Sequence, residues 1–301
     1  IGIYLIGTVF VQLALGLNTF ISAQGKALVA MLSVLIGAVL NICLDPVFIF
    51  GLNMGVKGAA LATILSQAVS AAWVVCFLCS RRSGLRIRPE NMRLQAKVVG
   101  RVAGLGVAPF IMQSTESLVT IVLNTGMQTY GGDLYVGVMT VINSIREVVS
   151  MPVQGITNGC QPVLGYNYGA GEYERVRRGI RFTTVLTVGY SVAAWALVMA
   201  VPELLIRIFN DEPELIAAGI PAFRLYFAAF FCMSFQFIGQ SVFVGLGRSR
   251  SAVFFSLLRK AIINAPLTVI LPIWMGTTGV FTAEAISQLL GGMACILTMY
   301  F

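Results

Sequence analysis

Histidine is absent from this 301-residue chain, and charge is scarce: 20 Lys+Arg and 12 Asp+Glu amount to 11% of the residues, against 57% hydrophobic. The first absence removes the commonest general base and the commonest zinc ligand. The second falls far below the roughly 25% charged residues of an average soluble domain, which excludes a water-exposed globular fold. The Gly-rich stretch 165–171 lacks the Gly-Lys-Ser/Thr ending of a phosphate loop and reads as a tight turn. No Ser-centred nucleophile motif is present either, so neither ATP hydrolysis nor a membrane-embedded enzyme is supported. No charge precedes Lys26, so there is no basic region of the kind that opens a signal peptide.

What is present is long apolar runs separated by short charged islands. A net charge of +8 would suit a nucleic-acid partner only if the bases shared one wet face, and here they are dispersed between apolar runs, so no nucleic-acid partner is expected. The six Cys lie in those runs, and Cys76-x-x-Cys79 has no His to complete a zinc set; they read as small buried hydrophobes. A spanning helix needs about 20 apolar residues. Cutting at charge islands and Pro/Gly turns predicts nine spans, near 1–23, 27–51, 57–79, 99–128, 134–163, 178–203, 218–246, 252–275 and 278–301.

Sorting alternate loops to opposite sides segregates the charge. One side collects Lys26, the group Arg81, Arg82, Arg86, Arg88, Arg93, Lys97 and Arg101, then Arg175, Arg177, Arg178 and Arg181, and finally Arg248, Arg250, Arg259 and Lys260. The other has only Lys57 and Arg207 among acids such as Asp133, Glu203, Asp211, Glu212 and Glu214. The positive side is cytoplasmic by the positive-inside rule, which puts Ile1 on the extracellular side and Phe301 in the cytoplasm of a multi-pass cell-membrane protein.

The chain also repeats itself. Met54-Gly55-x-x-Gly58, Ala62 and Ser66-Gln67 recur 221 residues later as Met275-Gly276-x-x-Gly279, Ala283 and Ser287-Gln288. The two copies have the same predicted orientation, the mark of a parallel repeat. The fold expected is all-α and integral to the membrane: nine helices of a twelve-helix, two-lobe (6+6) secondary transporter. Residues 1–80 would be the last three helices of the N-terminal lobe, 81–98 a cytoplasmic inter-lobe linker against lipid headgroups, and 99–301 the complete C-terminal lobe. By the same period, three helices, on the order of 140 residues, are expected ahead of Ile1.

Three stretches, in order and spacing, resemble the multidrug and toxic compound extrusion (MATE) family. They are Asn41-x-x-x-Asp45-Pro46-x-Phe48-Ile49-Phe50-Gly51, Gly55-Val56-Lys57-Gly58-Ala59-Ala60-Leu61-Ala62-Thr63, and Gly159-x-Gln161-Pro162-x-x-Gly165-Tyr166-Asn167-Tyr168-Gly169-Ala170. The resemblance covers essentially the whole chain. It implies an antiporter coupled to H⁺ or Na⁺ that exports small organic compounds, cationic or amphipathic, with no cofactor beyond the coupling ion and working as a monomer. A flippase for a lipid-linked oligosaccharide, of related two-lobe architecture, stays open; it calls for an Arg-rich cavity, whereas the spans offer Arg146 and Arg224 against Asp45, Glu116, Glu147 and Glu284.

Asp45 is the leading site candidate, because an intramembrane carboxylate is costly unless neutral, paired or bound to a cation. Asn41 lies one turn earlier on the same face, and Pro46 leaves the Ile42 carbonyl without its helical donor. Thr63, on the next helix, adds a hydroxyl. The resemblance implies that Asn41, Asp45 and Thr63 form the coupling-cation site. Glu116, in the fourth span, is a candidate second acid site. Arg146 and Glu147 are neighbours that diverge by about 100° and are not expected to pair with each other. Glu284 stands where the repeat places Thr63, and Pro266 where it places Asp45. Substrate-facing candidates are Gln113, Gln154, Gln161, Tyr166, Gln236 and Gln240, with Met112 and Met139.

Overall fold

A computed structural model describes residues 2–88, 90 and 95–300. The expected sidedness of Ile1 and Phe301, and Pro89 and Arg93 of the expected linker, lie outside the described residues, as does the side chain of Arg101. The described residues are helical throughout the apolar runs, and the chain divides into two compact units, Ile1–Gln95 and Ala96–Phe301.

Unit 1 holds α1 (Gly2–Ala23), α2 (Ala27–Pro46) and α3 (Gly55–Cys79). Beyond Pro46 the chain widens into a π turn, Val47–Gly51. Proline supplies no N–H to the preceding turn, which is a physical reason for the helix to change pitch there. Small residues let the three helices approach closely. Ser70 Oγ donates to the Ser33 carbonyl at 2.8 Å, and Asn18 Nδ2 to the Ala30 carbonyl at 3.1 Å. Such side-chain bonds between helices replace the hydrophobic drive that lipid does not provide. After α3 the chain returns to the end of α1, where Gln24 Oε1 accepts the Gly84 amide at 2.8 Å.

Unit 2 begins with α4 (Ala96–Gly169), 74 residues containing a non-helical break at Gly132. A straight helix of that length would run roughly 110 Å, several times the thickness of a bilayer core. Instead Arg146 meets Glu116 at 3.3 Å, so the chain doubles back at Gly132 and the two legs lie side by side. There follow α5 (Tyr173–Ala200), α6 (Pro202–Arg207) and α7 (Pro213–Phe227). A 3₁₀ turn, Phe230–Cys232, leads into α8 (Met233–Gly245). Trp195 Nε1 donates to the Phe227 carbonyl at 3.0 Å, satisfying an acceptor left free where α7 ends. The unit closes with α9 (Ser249–Leu257), a π segment Leu258–Asn264, α10 (Ala265–Met275) and α11 (Thr277–Tyr300). Its core joins Met127, Ile142, Phe223, Phe227 and Phe281, all at most 1% exposed.

Among the described residues six helices are long and apolar enough to cross a membrane, seven if the pair on either side of a 41° bend, Pro213–Phe227 and Phe230–Gly245, is one span. Large apolar side chains cover the outer faces; Val56, Phe50 and Trp274 are each more than three-quarters exposed, which suits hydrocarbon and not water. The cysteines divide: Cys232 and Cys295 are buried as expected, but Cys43, Cys76 and Cys79 stand on exposed faces of unit 1. An apolar run in lipid turns some of its residues outward, so burial does not follow from hydrophobic surroundings in sequence.

Candidate functional site

In unit 1, α2 and α3 bring the predicted trio together. Asn41 Nδ2 lies 3.3 Å from Asp45 Oδ1 and 3.5 Å from Thr63 Oγ1. The first contact follows from i, i+4 spacing on one helix face. The second depends on how α3 packs. Thr63 Oγ1 itself donates to the Ala59 carbonyl at 2.9 Å, which turns its lone pairs toward the Asn amide. All three residues are half-buried. Both amide contacts are longer than the usual 2.9–3.0 Å, so the amide bridges its neighbours loosely. A half-turn of the Asn41 amide replaces Nδ2 with Oδ1, converting the trio into carboxylate, amide and hydroxyl oxygens. That set is hard and carries one negative charge, fit for a proton or a small monovalent cation. Asn41 and Thr63 open onto a cavity of about 270 Å³ that Ser33, Gly37, Gln67 and Ser70 also line.

Unit 2 carries a denser set of charges. Glu116, on the first leg of α4, is held by two bases: Arg146 at 3.3 Å and Lys260, whose Nζ is in direct contact with Oε2. Arg146 also reaches Glu147 at 3.3 Å. The two neighbours do pair, contrary to the divergence of their Cβ directions, because the long Arg side chain folds back between the two carboxylates. Arg259 lies 3.8 Å from Glu284, which accepts hydrogen bonds from Asn264 at 2.6 Å and Gln288 at 3.0 Å. Three bases thus face three acids.

Arg259 and Lys260 correct the loop assignment made from sequence. They are 6% and 9% exposed, inside the π segment between α9 and α10, and are not cytoplasmic loop bases. Sequence position alone, ten residues from the Arg248/Arg250 island, placed them with it. The signal that finds them is the apolar sequence resuming on both sides of the pair.

A cavity of about 530 Å³ opens beside this network. Of the predicted substrate-facing residues it is lined by Gln113, Gln154, Gln161, Gln236, Gln240 and Met112, together with Glu116, Arg146, Glu147, Arg259 and Lys260. Tyr166 is not among its walls and is 78% exposed; Met139 is 1% exposed in the apolar core. Glu284 lies behind the wall, on a separate void of about 10 Å³. Buried polar atoms at the wall lack hydrogen-bond partners among the described residues, including Arg146 Nε, Gln236 Oε1 and Gln240 Nε2. Among the described residues no group of three His, Cys, Asp or Glu could hold a multivalent metal.

The internal repeat has a structural counterpart with a changed register. Gly55 and Gly276 both turn at positive φ, 54° and 59°. A Cβ on Gly58 would fall 2.7 Å from the Phe48 carbonyl oxygen, and one on Gly279 2.7 Å from that of Leu271. Phe48 therefore matches Leu271, and by the same register Asp45 matches Thr268, not Pro266. The π segments fall at different points of the two helices, and a π turn holds an extra residue, so a single offset cannot align both sides of the turn.

Comparisons with known proteins bear on the fold and lineage. A family model described as MatE matches residues 109–270. The multidrug export protein MepA of Staphylococcus haemolyticus (strain JCSC1435) is 21% identical over 295 residues, 98% of this chain and 65% of that protein. MepA of Staphylococcus aureus (strain NCTC 8325 / PS 47) is 23% identical over 292 residues, 97% of this chain and 64% of that one. The solved structure of a MATE protein in a bent conformation aligns with a TM-score of 0.90 at 23% identity, covering 98% of this chain and 66% of the other. An outward-facing MATE multidrug resistance transporter aligns with a TM-score of 0.87 at 23% identity, over 94% and 64% of the two chains. The structural likeness establishes the fold, and the chain spans 64–65% of the length of these curated relatives.

Proposed function

The chain belongs to the MatE family, whose members are multi-pass membrane transporters and not enzymes, and from that premise we propose that it is part of a cation-coupled antiporter exporting small organic compounds. Its helices are read as nine spans of a twelve-helix, two-lobe protein of the cell membrane, with 1–80 and 99–301 belonging to different lobes and 81–98 between them. The Phe301 end is read as cytoplasmic and the Ile1 end as extracellular, and the transporter as a monomer in lipid with no nucleic-acid partner.

The observation that carries the reading is the meeting of Asn41, Asp45 and Thr63 at 3.3 and 3.5 Å in a sequence with very little intramembrane charge to spare. Asp45 has no basic partner among the described contacts, in contrast to Glu116 and Glu284. An unpaired carboxylate in a span costs several kcal/mol, so its stable forms are protonated or cation-bound. H⁺ or Na⁺ supplies the neutralising charge and, with it, the energy of its gradient; no other cofactor is proposed. Asp45 holds the charge, Asn41 turns its amide to match the occupied or empty state, and Thr63 ties the site to α3. Binding biases whichever state offers these three groups in the tighter arrangement.

The substrate is read as an organic, amphipathic or cationic compound that meets the amide-lined wall of unit 2: Gln113, Gln154, Gln161, Gln236 and Gln240 offer adaptable donors and acceptors beside apolar Met112 and Phe237. The multidrug export relatives favour this reading over an oligosaccharide flippase. The test is efflux of a fluorescent cation from cells expressing the full-length protein. Asp45→Asn is expected to abolish the dependence on an ion gradient, and gradient-dependent efflux surviving in that variant refutes the coupling site.

A further inference from the structure

The register correction exposes a second site. With Asp45 matched to Thr268, Asn41 falls on Asn264 and Thr63 on Glu284. Each relation of unit 1 then recurs in unit 2: Asn264 meets Thr268 four residues on at 3.1 Å, as Asn41 meets Asp45, and meets Glu284 on the next helix at 2.6 Å, as Asn41 meets Thr63. The acid and the hydroxyl have exchanged places. Gln288 adds an amide at 3.0 Å from Glu284.

One difference between the copies concerns charge. Unit 1 has Gly37 packed against Ser70, and the cavity beside Asn41 stays open. At the corresponding place in unit 2, Arg259 packs its stem against Gly291 and projects its guanidinium to 3.8 Å from Glu284. That separation is too long for a hydrogen bond, and among the described residues Nε and Nη1 of Arg259 have no hydrogen-bond partner although the residue is 6% exposed. Gln288 Oε1 is also unpartnered, in a residue with no exposure. A void of about 10 Å³ adjoins Asn264, Glu284 and Arg259, close to the room one water-sized particle needs. The guanidinium is therefore held by charge and not by fitted hydrogen bonds, beside the void that Asn264 and Glu284 line. The other two bases that line this void, Arg146 and Lys260, are engaged by Glu116.

We propose that Asn264, Thr268, Glu284 and Gln288 form a monovalent-cation site in unit 2 whose resident cation is the Arg259 guanidinium, so that only removal of that side chain opens the site to Na⁺. The proposal deepens the ion-site reading of unit 1, on which it rests for the chemistry of the donor set. It makes the repeat-related sites unequal in a defined way: one takes its cation from solution and the other carries it on a tether.

The test counts ²²Na⁺ bound at pH 8 to purified full-length protein in choline buffer. Arg259→Met, which keeps the apolar stem over Gly291, is expected to bind one Na⁺ more per chain than the unmodified protein. Glu284→Gln added to it removes the increment, while Glu284→Gln alone leaves the unmodified count unchanged. No increment in Arg259→Met, or loss of Na⁺ in Glu284→Gln alone, overturns the proposal. If Arg259→Met does not fold, Arg259→Gln and the single Glu284→Gln variant decide it by the same counts. Asp45→Asn separates the two readings: loss of the unmodified protein's Na⁺ there supports the unit 1 site, an unchanged count refutes Na⁺ as the ion of that site, and the Arg259→Met increment is read independently of either result.

Discussion

Glu116→Gln should destabilise the protein through the bases it abandons, and the amount is calculable from who else can hold them. Arg146 keeps Glu147 at 3.3 Å, so it loses one of two carboxylates. Lys260 keeps only the Met112 carbonyl at 3.4 Å and a distant share of Glu284, while remaining 9% exposed. Breaking a buried pair by removing one partner typically costs 3–5 kcal/mol. The Glu116 side chain is 30% exposed to the cavity, which screens part of the attraction, so about 2–3 kcal/mol is the expected loss.

Lys260→Met strands Glu116 less severely, because Arg146 still pairs with it; about 1–2 kcal/mol is expected. The double variant removes both charges together and should lie within about 1 kcal/mol of the unmodified protein, giving a coupling of about 3 kcal/mol in the cycle. Unfolding midpoints of the full-length protein in lipid nanodiscs, measured for all four proteins, supply the numbers. Additive losses, with a coupling below about 0.5 kcal/mol, would refute the claim that the contact is a dehydrated ion pair.

Five further substitutions test three other features. Gly132 sits at φ 64° and ψ −165°, a region reserved for glycine, so Gly132→Ala is expected to lower stability by about 1–3 kcal/mol, whereas Gly159→Ala, in open helical space, should not destabilise in the same melts. Gly279→Ala drives a Cβ to within 2.7 Å of backbone at Leu271, and Gly58→Ala does the same at Phe48; each should cost about 1–3 kcal/mol, and equal costs would support the repeat. Gln240, with Nε2 unpartnered at the cavity wall, should tolerate Gln240→Ala within about 0.5 kcal/mol of stability while the apparent KM for efflux rises about threefold to tenfold, one hydrogen bond's worth.

Membrane character was plain in the composition because charge scarcity is a bulk property that needs no partner information. The Asn41/Asp45 contact was equally accessible, since a four-residue spacing fixes it within one helix; Thr63 needed the packing of α3, which the family resemblance anticipated without deriving. The break at Gly132 was placed between two spans by hydropathy, but nothing in the sequence says that Arg146 then lands on Glu116 thirty residues away. That meeting depends on the rotation of each leg about its axis, a quantity set by side-chain packing along the whole interface.

The largest misreading, Arg259 and Lys260 in a loop, has the same origin and alters the functional argument. Charge sorting treats every base as solvated, which is sound only while the base lacks an intramembrane acid within reach; here Glu284 and Glu116 supply one each. Once the two bases are moved inside, the apparent surplus of intramembrane acid in unit 2 disappears, and Glu116 ceases to resemble Asp45. Among the described residues Asp45 then stands apart as an intramembrane acid with an amide and a hydroxyl for neighbours and no base, the arrangement on which the proposed coupling-cation site rests. The asymmetry that matters for the proposed coupling therefore lies less in which acids the sequence carries than in which of them the fold has already neutralised.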